Sequence, residues 1–309
     1  MLFRSPNVVL TNRSKPICNV PEIGIGNKPI DGGHYLFTPE EKEGFLKKEP
    51  QAKPYFRRWL GADEFINGYE RWCLWLGDCK PEQLRRMPEA MKRVDAVRQV
   101  RLASKSAPTR KIADTPTRFH VENIPTAAYM VIPEVSSERR VYIPLGFLTP
   151  DILSSNKLRI LPSATLYQFG VLSSFMHMAW TRAVCGRLES RYQYSVSIVY
   201  NNFPWPEATP AQKEKIEVAA QAVLDARALF PQATLADLYD PLTMPPALLA
   251  AHRRLDAAVD AAYGRRSFDS ESSRVAFLFD LYVKLTQPLV PVEPPKRKTG
   301  RKKGTDDVT

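Results

Sequence analysis

Long apolar runs are absent from this chain of 309 residues. The longest, such as Ala219 to Leu224, fall far short of the roughly 20 residues that a bilayer-crossing helix requires. The N-terminus, MLFRSPNVVL, lacks the apolar core of a signal peptide. A soluble, cytoplasmic protein without a membrane partner is the expectation. Cysteine is also sparse. Cys18, Cys73, Cys79 and Cys185 are too few and too scattered for a disulfide framework, and the gap from Cys73 to Cys79 is too wide for a CxxC zinc knuckle. Reduced, mostly buried thiols are expected. No GxSxG, HExxH or phosphate-loop lysine pattern occurs, and His34, His120, His177 and His252 share no metal-ligand spacing. Neither catalytic nor metal-binding residues are therefore expected. His177 and His252 fall in apolar helical patterns, which predicts hydrogen-bonded core positions. With 14 glycines against 27 prolines, fixed turns are favoured over flexible linkers.

Positive charge, by contrast, is in excess: 44 Lys+Arg against 33 Asp+Glu, a net of +11. An excess of that size points to an anionic partner. It is unevenly spread. Residues 1–206 carry 29 Lys+Arg and 19 Asp+Glu, a net of +10, whereas residues 207–288 carry 9 and 11, a net of −2. The last 21 residues carry 6 and 3. Anion binding thus belongs to residues 1–206. Residues 207–288 form a near-neutral unit, and the basic tail 289–309 has too little apolar surface to offset its ordering entropy, so it is expected to be disordered.

Residues 207–288 read as helical. Thr209-Pro210-Ala211-Gln212 is a capping box with proline at the first helical position, followed by Ile216, Ala219, Ala220, Val223 and Leu224 at helical spacing. Thr234 can cap a short turn through Leu238, Pro245 to Tyr263 repeats the helical pattern, and a third helix spans about Ser272 to Thr286. Three such helices pack on one another or against the preceding region.

Residues 1–206 mix periods, as an α+β domain does. Arg71 to Leu76 (RWCLWL) reads as a buried strand, and Glu82 to Ser104 as a basic helix. Between Arg85 and Lys111 stand nine Lys/Arg, Arg93, Arg98 and Arg101 among them, against Glu89 and Asp95. Such a run is either a solvated helix face or a phosphate-contacting helix. AAYMVIPEV and RRVYIPLGF suggest a hairpin turning at Ser136-Ser137-Glu138, and Thr165 to Val184 an apolar helix. In RLESRYQYSVSIVYNNFPWP the alternation puts Glu189, Arg191 and Gln193 on one side of a strand, with Ser190, Tyr192 and Tyr194 on the other. Glu, Arg and Gln can read cytosine, guanine and adenine edges respectively. The polar face of an antiparallel sheet exposes the same residue types. The aromatics of FPWP, at the junction with the helical unit, are expected to pack that joint.

GNKPIDGG (26–33), RWCLWL (71–76), SSERRVYIP (136–144), FGVLSSFMHMAW (169–180), CGRLESRYQYS (185–195) and YNNFPWP (200–206), taken in this order, resemble the C-terminal half of MmeI-type enzymes. These are type IIL restriction-modification proteins that join a nuclease, an adenine-N6 DNA methyltransferase, a target recognition domain and a helical C-terminal region. LADLYDP (235–241) with MPPALLAAH (244–252) resembles the last of these. The resemblance implies a mixed sheet-and-helix target recognition domain over 1–206 and a small helical C-terminal domain over 207–288. Gly24-Ile25-Gly26 and Asn27-Lys28-Pro29-Ile30 match neither the cofactor-binding turn nor the (N/D)PP(Y/F) loop of such a methyltransferase. No cofactor is therefore expected in this chain, S-adenosylmethionine belonging to a methyltransferase domain outside it. Asp31, Glu40 and Lys42 make a loose nuclease-like pattern of a kind common by chance, flanked by prolines and glycines where strands are needed.

The resemblance implies sequence-specific recognition of double-stranded DNA, without catalysis by this chain alone. It makes Glu189 and Arg191 base readers for a C·G pair beside the methylated adenine, with Gln193 a third. Lys157 and Arg159, in the loop before the apolar helix, become candidate phosphate or base contacts, and Arg93, Arg98 and Arg101 phosphate contacts. A separately encoded methyltransferase/nuclease chain is the implied second partner. An inert truncated remnant and a stand-alone nucleic-acid-binding regulator are the alternatives.

Overall fold

The computed structural model describes residues 8–265 and 267–287; the expected disordered tail lies outside them. Helices and three small sheets alternate along the chain, the α+β arrangement expected. One antiparallel sheet orders its strands Gly24–Ile25, Leu158–Pro162, Tyr129–Pro133, Gly146–Leu148. Every residue of Tyr129–Pro133 is buried, which is why this strand reads as an unbroken apolar run rather than an alternation. A second sheet orders Leu36–Phe37, Trp72–Leu74, Phe56–Leu60, Ile152–Ser154, the last pair parallel with Trp59 opposite Leu153. Residues 146–162 therefore stitch the two sheets together by supplying strands to both. The third sheet is Gly186–Leu188, Arg191–Gln193, Val135–Ser136. Its last strand follows Tyr129–Pro133 with only Glu134 between, so the bend at Glu134 carries the chain from one sheet into another.

Several elements depart from the sequence expectation for local reasons. The basic helix is two, Pro81–Arg85 and Pro88–Leu102, because Pro88 has no amide hydrogen to continue the first and is suited to start the second. The apolar helix is also two, Leu166–Leu172 and Phe175–Val184, with Ser174 Oγ accepting from the His177 N–H to cap the second. The strand Tyr129–Pro133 does pair antiparallel with Gly146–Leu148. Residues 137–145 are not a tight turn, however, but an irregular connection burying Tyr142, Ile143 and Leu145. Of the four cysteines, all free, Cys73 is fully buried and the others half-buried.

The helical unit follows its sequence signals closely: Pro210–Ala228 capped by Thr209, Leu235–Leu238 capped by Thr234, Pro246–Ala262 and Glu271–Thr286. It packs on itself and on the preceding region. Ile216, Leu255, Leu278 and Tyr282 share one apolar core with Met130, Phe169, Trp180 and Tyr200. A Cβ at Gly170 would lie 2.6 Å from Ile216 Cγ2, so glycine there lets the two helices close on each other. Phe203 and Trp205 of FPWP are buried in this joint, Phe203 edge-on to His177. The expected core histidines are found: His177 Nε2 is 3.0 Å from Tyr194 Oη, and His252 Nε2 2.9 Å from Tyr239 Oη.

Candidate nucleic-acid interface

The strand expected across Glu189, Arg191 and Gln193 is a two-residue hairpin. Leu188 lies opposite Arg191 and Arg187 opposite Tyr192, leaving Glu189 and Ser190 as the turn. Glu189, the first of the two turn residues, has a φ of 57°, a left-handed value that two-residue hairpin turns normally meet with glycine or asparagine. Glu189 is thus displaced from the strand face to the hairpin tip. Arg191 and Gln193 remain two apart on one face, and the intervening Tyr192 and the following Tyr194 are buried.

Those two tyrosines anchor the hairpin. Tyr194 meets His177, whose pKa burial lowers to about 3, so the ring is neutral and adds no charge beneath the surface. Arg187 lies 4.1 Å over the Tyr192 ring and donates to the Ser190 carbonyl. At the tip, Arg191 Nη2 donates to Glu189 Oε2 at 2.8 Å, with the side chains 46% and 76% exposed. Guanidinium and carboxylate are therefore held together, in water.

The hairpin borders a cleft of about 460 Å³ that also touches Asp31, Trp59, Glu64, Glu134 and Lys157. Sequence reasoning passed over Glu134, whose signal is modest: it is the one acid closing an apolar run. Its Oε1 pairs with Arg159 Nη2 at 2.7 Å and its Oε2 with Lys157 Nζ at 3.3 Å. Its backbone N–H donates to Lys157 O while its carbonyl accepts from the Tyr194 N–H. Glu134 thus ties the 155–157 turn to the hairpin. Arg159 is corrected on two counts: it lies within the strand Leu158–Pro162, and at 13% side-chain exposure its guanidinium serves Glu134 rather than open solvent. Lys157 keeps 65% of its side chain exposed.

The GNKP block supports this turn from beneath. A Cβ at Gly26 would fall 2.1 Å from Ser155 O, so the two backbones meet where no other residue fits. The buried Asn27 donates to Ser154 O and Asn123 O and accepts from the Asn123 N–H. Asp31 accepts from the Tyr35 N–H, while Lys42 lies over the Trp72 ring; two members of the loose Asp31, Glu40, Lys42 pattern are thus engaged elsewhere. Among the described residues no group of three His, Cys, Asp or Glu is placed to hold a metal ion, and no helix is long and apolar enough to cross a membrane.

The basic helix splits by burial. Arg98 is exposed. Arg101 is fully buried and donates all five of its N–H groups, to the carbonyls of Pro29, Ile30, Ile112, Thr115 and Arg118. The expectation that it contacts phosphate is overturned, because no donor is left. Half-buried Arg93 is only partly engaged, donating through Nη1 to His34 O and lying 4.6 Å over the Phe37 ring.

The surface that remains combines exposed cations (Arg191, Lys157) with carboxylates (Glu189, Glu134). Phosphates alone call only for cations; a mixed set can donate and accept along base edges.

Comparison with known proteins bears on the same region. The family model for the MmeI target recognition domain matches residues 4–207, and that for the MmeI C-terminal domain matches residues 208–290. DNA methyltransferase A of Bacillus subtilis (strain 168) is 40% identical over 281 residues, covering 91% of this chain and 32% of that protein. The Type IIL restriction-modification enzyme MmeI, solved in complex with DNA, aligns with a TM-score of 0.89 and 48% identity over 91% of this chain and 37% of its own. The chain spans about a third of the length of these relatives.

Proposed function

The chain belongs to the MmeI family of target recognition and C-terminal domains, and from that premise we propose that it is the sequence-reading module of a cytoplasmic adenine-N6 DNA methyltransferase and restriction system of type IIL. Its ligand is double-stranded DNA. The methyl transfer, and the S-adenosylmethionine it consumes, belong to a methyltransferase domain that this chain guides, on the same or a separate polypeptide.

The observation that carries this reading is the exposed Glu189–Arg191 pair at the tip of an anchored hairpin. On meeting a C·G pair the two side chains exchange each other for bases. Arg191 donates to guanine O6 and N7, and Glu189 accepts from the cytosine amino group, a good bidentate contact being worth about 1–3 kcal/mol of discrimination. Because both groups are already largely hydrated, parting them costs little. A wrong base leaves a charge desolvated and unpaired, which is where specificity arises. Gln193, on the face of Arg191, reaches the neighbouring pair, while Lys157 and Arg98 hold phosphates and set register. Arg159 and Glu134 fix the wall from which Lys157 projects.

The test is Glu189→Lys with Arg191→Asp in a chain joined to or mixed with its methyltransferase, followed by mapping of methylated adenines. The preferred base is expected to change at one position of the site. An unchanged site in an active, folded enzyme overturns the assignment.

A further inference from the structure

The hairpin that carries Glu189 and Arg191 rests on two tyrosines, and the supports of both end on one carboxylate of the helical unit. Tyr194 Oη lies 3.0 Å from His177 Nε2, and His177 stands in the first turn of the helix Phe175–Val184. A helix leaves its first N–H groups without partners of its own. Here the Phe175 N–H donates to Asp256 Oδ1 at 2.7 Å. Tyr192, for its part, lies opposite Ser136 in the third sheet and donates its hydroxyl to Glu138 O. The segment that begins at Ser136 runs on to Tyr142, whose hydroxyl donates to Asp256 Oδ2 at 2.7 Å.

Each oxygen of Asp256 therefore holds one support. A carboxylate beside a helix N-terminus gains from the helix dipole, and hydrogen bonds to an ionised acceptor are roughly twice as strong as neutral ones. The helix that carries Asp256, Pro246–Ala262, also fixes the Tyr142 ring: His252, one helical turn earlier, stacks on it at 4.0 Å with 18° between the planes. At the far end of Phe175–Val184, Arg182 donates to the carbonyls of Arg140 and Val141 and pairs with Glu271 at 2.7 Å. That second tie keeps the joint closed when Asp256 is changed. A bidentate base contact needs its side chain placed within about 0.5 Å, finer than two exposed side chains on a two-residue turn achieve unaided.

We propose that Asp256 is a positioning residue for the recognition hairpin: from the C-terminal helical unit it fixes the Phe175–Val184 helix and the Tyr142 segment together, and so sets where Glu189 and Arg191 stand over the cleft. The consequence for base reading rests on the function proposed above; the mechanical link does not. Asparagine at this position preserves both contacts, because its oxygen accepts from the Phe175 N–H while its amide donates to the Tyr142 hydroxyl, which can also accept.

Fluorine NMR of the full chain labelled with 3-fluorotyrosine tests the link, the Tyr192 and Tyr194 resonances being assigned with Tyr192→Phe and Tyr194→Phe. Asp256→Ala is expected to shift both resonances, Tyr142→Phe chiefly that of Tyr192, and Asp256→Asn is expected to return them to their natural positions. Val223→Ala, buried in the helical unit but part of neither link, should lower the urea midpoint and leave them in place. Tyr142→Phe loses one hydroxyl and keeps its ring, and it supplies the test where Asp256→Ala does not fold. With the methyltransferase joined or mixed in, preference at the base pair read by Glu189 and Arg191 is expected to fall about tenfold in Asp256→Ala and to recover in Asp256→Asn. Unmoved resonances overturn the proposal, as do shifts that Val223→Ala reproduces or that Asp256→Asn fails to reverse. Undiminished preference with shifted resonances also overturns it, given that Glu189→Lys with Arg191→Asp changes the methylated site. Where that exchange changes nothing, the base assignment falls instead, and the fluorine spectra alone decide the link.

Discussion

Arg101 and Arg191 carry the same cation into opposite surroundings. Arg101 is fully buried, and each of its five donors is consumed by a carbonyl of its own fold. Arg191 stands nearly half exposed on a hairpin tip, held by one carboxylate in water. The first locks the 29–31 loop, the 112–118 segment and the basic helix together; the second is free to trade its partner. Charge counted along a sequence is therefore not charge offered to a ligand. The net +10 of residues 1–206 overstates the positive charge left free at the surface, because some of its arginines are structural.

The strongest way to break this contrast is to remove the buried cation. Arg101→Met strands five carbonyls, and breaking a buried charged network of this kind costs about 3–5 kcal/mol. Urea denaturation checks it, and Arg101→Lys is expected to recover only part of the loss, since an ammonium cannot span the planar fork. A loss below about 1 kcal/mol would dissolve the distinction between the two arginines.

A second probe lies beneath the hairpin. The folded-state pKa of His177 is depressed from 6.5 to about 3. Its contribution to stability is complete above the unfolded value and is lost as pH falls from 6.5 toward 3. The stability advantage of the natural chain over His177→Gln should narrow across that window, by at most about 1.4 kcal/mol per pH unit. Asp256 has the opposite sign: burial raises its pKa from 3.8 to about 6, so its contribution is lost as pH rises through that range. Being common to both chains, it cancels in the difference. Denaturation curves at several pH values check the slope, and a pH-independent difference would show that His177 is not buried as a neutral ring.

The smallest effect is expected at the surface. Arg98→Ala should leave stability within about 0.5 kcal/mol while reducing the slope of log affinity against log salt by about one unit on any DNA sequence. An unchanged slope would make Arg98 a solvated helix residue, and the basic helix would then join Arg101 on the structural side of the comparison.

Much of the helical third was legible in advance because its signals are local. Thr209 and Thr234 cap helices begun within one residue, and Ile216, Ala220 and Val223 recur at the period that buries them. The candidate site was legible only in part. Alternation identified Arg191 and Gln193 as sharing a face opposite Tyr192, yet it carried Glu189 through what is a turn, since a glutamate at positive φ is held there by its surroundings rather than favoured by its own preference. The basic helix was visible as a charge run, but the acceptors that consume Arg101 come from loops more than ten residues away along the chain on either side. Glu134 was passed over for the same reason: its partners Lys157, Arg159 and Tyr194 lie 23 to 60 positions further on.

By itself, then, the sequence determined the helices with their caps, the family's ordered blocks and the concentration of positive charge in residues 1–206. Each of these is a property of neighbours in the chain or of simple composition. Tertiary structure alone decided which cations remain available, where the Glu189–Arg191 pair stands, and that Glu134 joins the 155–157 turn to the hairpin. Burial and ion pairing depend on residues that meet only after folding, and the same guanidinium becomes a structural knot or a free donor according to which carbonyls and carboxylates the fold brings to it.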